Sequence, residues 1–123
     1  MKALGKTIII TGAGSGMGRE LTLQLNAKGA IVIALDIHQA PLQETIRLSS
    51  NPSTIKNYVV DVSRQEEVNA FVQNLLKECT IDGVINNTFF KLFVFAFVLW
   101  ASHISPIISI LLAIVFFMSI HYL

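Results

Sequence analysis

The fold of this chain is decided by the stretch Thr11-Gly12-Ala13-Gly14-Ser15-Gly16-Met17-Gly18, which we call the glycine loop. It follows an apolar, β-branched run, Thr7–Ile10, and leads into a helical pattern that begins at Met17. A strand, a glycine turn and a helix start together form a phosphate cradle, because glycine lets an anion approach the backbone N–H groups closely. The helix N-terminus adds unpaired donors and partial positive charge. The alternative interpretation is an ordinary glycine-rich turn.

Before residue 88 the apolar pattern alternates between strand type and helix type. Continuous β-branched runs predict buried parallel strands, and apolar residues spaced at i, i+3 and i+7 predict helices. Strands are predicted over Lys6–Thr11, Ala30–Leu35, Ile55–Asp61 and Asp82–Asn87, and helices over Gly16–Lys28, Pro41–Leu48 and after a capping box at Ser63–Glu66. Short connections imply right-handed crossovers. The predicted fold class is therefore α/β, with a Rossmann-like parallel sheet in the order 3-2-1-4, truncated after the fourth strand.

An acidic residue ends the second predicted strand. Asp36 lies 18 residues after Gly18, where a βαβ nucleotide fold places a carboxylate that accepts hydrogen bonds from the adenosine ribose. A 2′-phosphate would meet a like charge there, and positions 14, 15, 37 and 38 carry no Arg or Lys. The sequence therefore favours NAD over NADP. The alternative role for Asp36 is a helix N-cap or a turn former.

The glycines of the loop have a distinctive spacing. Gly12, Gly16 and Gly18 form G-x-x-x-G-x-G after Thr11, rather than the commoner G-x-G-x-x-G. The pattern TGxxxGxG resembles the short-chain dehydrogenase/reductase family of NAD(P)-dependent oxidoreductases. In that family an Asp and an apolar residue after the third strand contact the adenine, and Asp61 and Val62 match that pair. The resulting cofactor-binding residues are Gly12, Ser15, Gly16, Met17, Gly18, Asp36, Asp61, Val62 and Asn86.

The motif resemblance extends from Met1 to about Asn87. Family members leave the fourth strand through Asn-Asn-Ala-Gly, whereas this chain has Asn86-Asn87-Thr88-Phe89. The family's catalytic part carries a Ser and a Y-x-x-x-K pair, whose tyrosine supplies the proton that hydride transfer to a carbonyl requires. Neither Tyr58 nor Tyr122 is followed by Lys at the fourth position. We therefore assign no catalytic residue and expect the chain to be inactive alone.

The last third of the chain has a different composition. Residues 92–123 contain no Asp, Glu, Lys or Arg, which predicts two parts: a nucleotide-binding part over residues 1–88 and an apolar, helical tail over residues 89–123. In one interpretation residues 92–120 cross a membrane and leave the nucleotide-binding part in the cytoplasm. In the second, the tail packs against the edge of the fourth strand. In the third, the tail results from a disrupted reading frame.

Overall composition excludes several classes of function. The net charge of +1 gives no strong attraction to nucleic acid. The single cysteine excludes an intramolecular disulfide, and the three histidines are scattered without metal-ligand spacing. Three hypotheses remain: the NAD(H)-binding part of a dehydrogenase, a membrane-anchored nucleotide-binding module, and a frame-disrupted product without function.

Overall fold

The computed structural model describes residues 2–87. The apolar tail of residues 89–123, with the membrane span and the compartment predicted from it, lies outside the described residues, and the division at residue 88 stays a prediction. Within residues 2–87, no helix has both the length and the apolar character that crossing a bilayer demands.

Four parallel strands and three helices alternate along the described chain. The elements are β1 (Thr7–Thr11), α1 (Gly16–Ala27), β2 (Ile31–Asp36), α2 (Gln39–Leu48), β3 (Ile55–Val59), α3 (Gln65–Glu78) and β4 (Gly83–Ile85). A 3-10 turn, Pro52–Thr54, precedes β3. Each neighbouring pair of strands is parallel, and the sheet has the order β3-β2-β1-β4. The predicted fold class and strand order are therefore confirmed.

The sheet has an apolar layer on each face, because successive strand residues point to opposite sides. Ile8 and Ile10 of β1 belong to the core beneath α1 and α2, whereas Ile9 belongs to the core beneath α3. All five residues of β1 are buried, as are the middle four of β2. The two central strands are thus continuously apolar because both faces of the sheet are covered, as the sequence predicted.

The start of α3 differs from the prediction. The helix begins at Gln65 with Arg64 as N-cap and no side-chain cap, so the capping box predicted at Ser63–Glu66 is wrong. The Ser63 hydroxyl instead donates to Asp61 Oδ1 at 2.6 Å. The Glu67 carboxylate accepts the Asp61 backbone N–H at 3.0 Å. Ser63 therefore lies one residue before the N-cap, in a turn where its hydroxyl donates to the Asp61 carboxylate.

Asp82 connects β4 to β1 by hydrogen bonds at the amino ends of the two strands. Its Oδ2 accepts the Thr7 backbone N–H at 2.8 Å, and its own N–H donates to Thr7 O at 2.9 Å. The Thr7 N–H and then the Lys6 ammonium hold the pKa of Asp82 below its ordinary value. The resulting register pairs Ile10 with Ile85, which brings the carboxyl ends of β1 and β4 to the same edge of the sheet.

Candidate functional site

The glycine loop turns the chain from β1 into α1 at the carboxyl edge of the sheet. Gly12 has φ of 65° and Gly16 has φ of 55°, a backbone region that side chains other than glycine seldom adopt. The loop is tied to β2 because Ala13 N donates to Leu35 O at 3.0 Å. Ser15 is the N-cap of α1 in extended conformation, so the first-turn N–H groups of the helix lie at this edge.

Gly18 allows the closest packing in the site. A Cβ at this position would lie 2.0 Å from Gly12 O and 2.8 Å from Asn87 Nδ2. Both are far inside the distance at which a methyl group fits, and the first is a backbone atom that cannot rotate away. The absent side chain therefore lets α1 lie directly against the ends of β1 and β4.

Asp36, at the end of β2, is bound to the glycine loop. Its Oδ2 accepts the Gly14 N–H at 3.0 Å, and its Oδ1 accepts the His38 N–H at 3.2 Å. The N-cap alternative is wrong, because α2 has His38 as N-cap without a side-chain bond. The turn-former alternative accounts only for Oδ1, whose bond to the His38 N–H closes a local turn. An ionised carboxylate offers about four acceptor positions, and these two bonds use two of them.

Close approach, rather than backbone conformation, explains the glycine at position 14. A Cβ there would lie 2.8 Å from Asp36 Oδ2 and 2.8 Å from Pro41 Cβ. Gly14 is also buried, so the carboxylate and the loop touch without room for a side chain. Sequence reasoning did not single out this residue, since it is one of the unspecified positions of TGxxxGxG.

Two asparagines follow β4 beside the end of β1. The Thr11 hydroxyl donates to Asn86 Oδ1 at 3.0 Å and accepts the Asn87 N–H at 2.9 Å. Asn87 is 4% exposed, and its Nδ2 has no hydrogen-bond partner within residues 2–87. Thr11 therefore aligns both asparagines, and the amide of Asn87 lies deep beside the glycine loop.

Asp61 and Val62 lie beyond the end of β3, which stops at Val59 rather than at Asp61. The Asp61 carboxylate accepts the backbone N–H and the hydroxyl of Ser63. These two bonds, with the neighbouring Arg64 charge, hold the pKa of Asp61 below its ordinary value. Asp61 therefore bonds within the turn that precedes α3, whereas Asp36 also bonds to the glycine loop.

Arg19 and Thr45 also support the site, although sequence reasoning did not identify them. Arg19 Nη2 donates to Gly14 O at 2.5 Å, and its Nε donates to Thr45 Oγ1 at 3.1 Å. The Thr45 hydroxyl donates to Ala13 O at 2.9 Å. One signal was available: a cation in the first turn of a helix opposes the helix dipole, so Arg19 needs a specific partner.

Comparison with known proteins identifies relatives of this arrangement. The family model described as short chain dehydrogenase matches residues 6–118, so the match continues beyond Asn87, where the motif resemblance ended. The chain is 36% identical to mouse epidermal retinol dehydrogenase 2 over 86 residues, covering 68% of this chain and 28% of that protein. It is 33% identical to the 3-oxoacyl-[acyl-carrier-protein] reductase FabG of Thermotoga maritima over 89 residues, covering 71% of this chain and 36% of that protein.

The fold is shared with solved structures as well. A short chain dehydrogenase from Bacillus anthracis matches with a TM-score of 0.64 and 26% identity, covering 72% of this chain and 36% of that chain. This chain thus spans between 28% and 36% of the length of these three relatives. The parallel sheet and its strand order agree with the family match. The chain belongs to the short-chain dehydrogenase family, whose members bind NAD(P).

Proposed function

We propose that this chain binds NAD(H) at the carboxyl edge of its sheet, as the coenzyme-binding part of a short-chain oxidoreductase. The observation that carries the proposal is the contact between the loop and Asp36, in which Gly14 N–H meets the carboxylate and no side chain intervenes. A bare loop at a helix N-terminus suits a pyrophosphate. An acidic residue at the end of β2 suits the ribose hydroxyls.

The proposed contacts assign one part of the coenzyme to each element. The glycine loop and the start of α1 take the pyrophosphate, Asp36 takes the adenosine ribose, and Asp61 with Val62 takes the adenine. Asn86 lies on the other side of the loop, beyond β1, toward the nicotinamide half. The proposed binding residues are Gly12, Ser15, Gly16, Met17, Gly18, Asp36, Asp61, Val62 and Asn86.

The preference for NAD over NADP rests on charge. A 2′-phosphate would approach the Asp36 carboxylate, and two like charges at contact distance repel strongly. Arg19 lies close to the loop, but its guanidinium donates to Gly14 O, Thr45 Oγ1 and Pro41 O. These bonds direct the Arg19 charge into the protein rather than toward a phosphate at the ribose.

We also propose that the 123-residue chain does not complete hydride transfer by itself. When bound, the nicotinamide supplies or accepts the hydride, but a carbonyl substrate also needs a proton at its oxygen. These 123 residues contain no Y-x-x-x-K. Coenzyme binding without turnover is therefore the expected behaviour of the isolated chain.

Titration of the full chain with NAD and with NADP, followed by isothermal calorimetry, tests the proposal. We expect saturable NAD binding and NADP binding at least about tenfold weaker, because the like charge at Asp36 is costly. We expect no absorbance change at the NADH wavelength when NAD and a panel of alcohols are added. Folded chain, judged by circular dichroism, that binds neither coenzyme would contradict the binding proposal. NADH formation would contradict the absence of turnover.

A further inference from the structure

A continuous series of hydrogen bonds connects the Arg19 guanidinium to the Asp36 carboxylate. Arg19 Nε donates to Thr45 Oγ1 at 3.1 Å, and Thr45 Oγ1 donates to Ala13 O at 2.9 Å. That carbonyl and the Gly14 N–H belong to one peptide group, and the N–H donates to Asp36 Oδ2 at 3.0 Å. Every donor points from the cation toward the anion, so each bond polarises the next. We call this series the Arg19–Asp36 relay.

The middle of the relay is shielded from water. Thr45 and Ala13 are both fully buried, and Gly14 is buried as well. Hydrogen bonds in a medium of low dielectric constant are stronger than those at the surface, and breaking one leaves a costly unpaired group. The relay therefore holds the peptide between Ala13 and Gly14 in one orientation.

The relay also joins elements that are distant in sequence. Thr45 lies on α2 and bonds Ala13 in the loop after β1, and that loop in turn bonds Asp36 after β2. A second acceptor for the Thr45 hydroxyl, Pro41 O at 3.1 Å, lies in its own helix. The bond to Pro41 O is the longer one and lies within α2, whereas the bond to Ala13 O is shorter and reaches the glycine loop. The hydroxyl therefore connects α2 to the site.

We propose that Thr45 and Arg19 are positioning residues that set the coenzyme selectivity of this site, although neither is assigned a contact with coenzyme. They orient the Ala13–Gly14 peptide, and its N–H fixes the Asp36 carboxylate where it accepts ribose hydroxyls and repels a 2′-phosphate. This inference rests on the proposed NAD-binding function. It differs from a purely structural role, because a structural role would change stability without changing the choice between NAD and NADP.

Thr22 provides a matched control for Thr45. Both threonines are fully buried on helices beside the loop. The Thr22 hydroxyl donates to Gly18 O at 2.8 Å within its own helix, and so lies outside the relay. Replacing either threonine by valine removes a hydroxyl and keeps nearly the same volume, so the two variants differ mainly in whether the relay is cut.

The experiment compares Thr45→Val, Thr45→Ser, Arg19→Met and Thr22→Val in the full chain. The measured quantity is the ratio of the NADP and NAD dissociation constants, with the thermal midpoint recorded for each variant. We expect Thr45→Val and Arg19→Met to lower the ratio about fivefold, because each variant breaks the series of hydrogen bonds that leads to the Ala13–Gly14 peptide. Thr45→Ser keeps the hydroxyl and should keep the wild-type ratio. Thr22→Val should lower the thermal midpoint and leave the ratio unchanged.

The outcomes separate this inference from the function on which it rests. Folded wild type that binds neither coenzyme overturns both proposals. If wild type prefers NAD but Arg19→Met keeps the wild-type ratio of the two dissociation constants, the relay is overturned and the proposed function stands. The Arg19→Met variant decides the matter if Thr45→Val does not fold. An equal change of the ratio in Thr22→Val also overturns the relay, since it would show that any lost buried hydroxyl has this effect.

Discussion

The ends of β2 and β3 carry the same local pattern, an aspartate between two apolar residues, yet the two carboxylates enter different networks. Asp36 binds the N–H of Gly14, which is 22 residues away in sequence. Asp61 binds the N–H and hydroxyl of Ser63, two residues away. Within residues 2–87, β2 lies between β1 and β3, and the loop after β1 supplies the Gly14 N–H, whereas β3 is an outer strand and Asp61 bonds within its own turn.

This difference has an energetic consequence. The bonds of Asp61 are local and exposed, so they order a turn at little cost in chain entropy and contribute little to the fold. The bond of Asp36 to Gly14 exists only when β1, β2 and the glycine loop are assembled, whereas its bond to His38 is local. A change at Asp36 should therefore affect the assembled site, whereas a change at Asp61 should affect only the start of α3.

The largest effect is expected from Gly18→Ala, which disrupts the network at the end of β2 and leaves the one at the end of β3 intact. The new Cβ would lie 2.0 Å from Gly12 O, so the helix and the loop must separate. We expect the free energy of unfolding to fall by about 3 kcal/mol or more, as for severe overpacking against backbone. Urea denaturation followed by circular dichroism measures the change.

Gly83→Ala is the matched control for this prediction. Gly83 lies in β4, and a Cβ there would meet no atom of residues 2–87 within 4 Å. Replacing glycine in a strand reduces the entropy of the unfolded chain, so we expect a gain of about 0.5 kcal/mol. Equal losses of stability in the two variants would contradict the claim that Gly18 is required by close packing.

A smaller effect, on binding rather than on folding, separates the two carboxylates directly. Asp36→Asn removes the charge that attracts ribose hydroxyls and repels a 2′-phosphate, so we expect NAD affinity to fall about tenfold and the preference over NADP to disappear. Asp61→Asn keeps an acceptor for Ser63, so we expect a loss of NAD affinity of only about twofold. Calorimetric titration of both variants with both coenzymes measures the comparison, and similar losses of preference in the two would contradict it.

Sequence patterns predicted the architecture, because burial on both faces of a strand is a local signal, and glycine spacing placed the candidate site at the carboxyl edge of the sheet. They did not predict the partner of Asp36, since the strand order places the loop beside β2 but does not show which of the loop's N–H groups faces the carboxylate. They also missed Thr45, whose hydroxyl reaches Ala13 across 32 positions. The capping box failed for a local reason: the helix begins one residue later than predicted, with Arg64 as its N-cap, and Ser63 bonds to Asp61 instead. A short pattern does not show at which residue a helix begins.

The smallest effect is a dependence on pH at the end of β3. Bonds from Ser63 and the charge of Arg64 lower the pKa of Asp61 in the folded chain. A carboxyl whose pKa is lowered by folding stabilises the fold at pH values above its ordinary pKa. That contribution is lost as the pH falls through the folded pKa, below about 4. Asp61→Asn lacks this titration, so its urea midpoint should fall less than that of wild type between about pH 6 and pH 3.

The same experiment distinguishes Asp61 from the other carboxyls with lowered pKa values. Asp82 is held by the Thr7 N–H and Lys6, and it titrates in both wild type and Asp61→Asn, so its contribution cancels in the difference between the two proteins. The difference in stability should therefore be largest at neutral pH and should vanish in acid. A difference that stays constant with pH would show that Asp61 acts only through its uncharged hydrogen bonds to Ser63, and its charge would then have no part in ordering the start of α3.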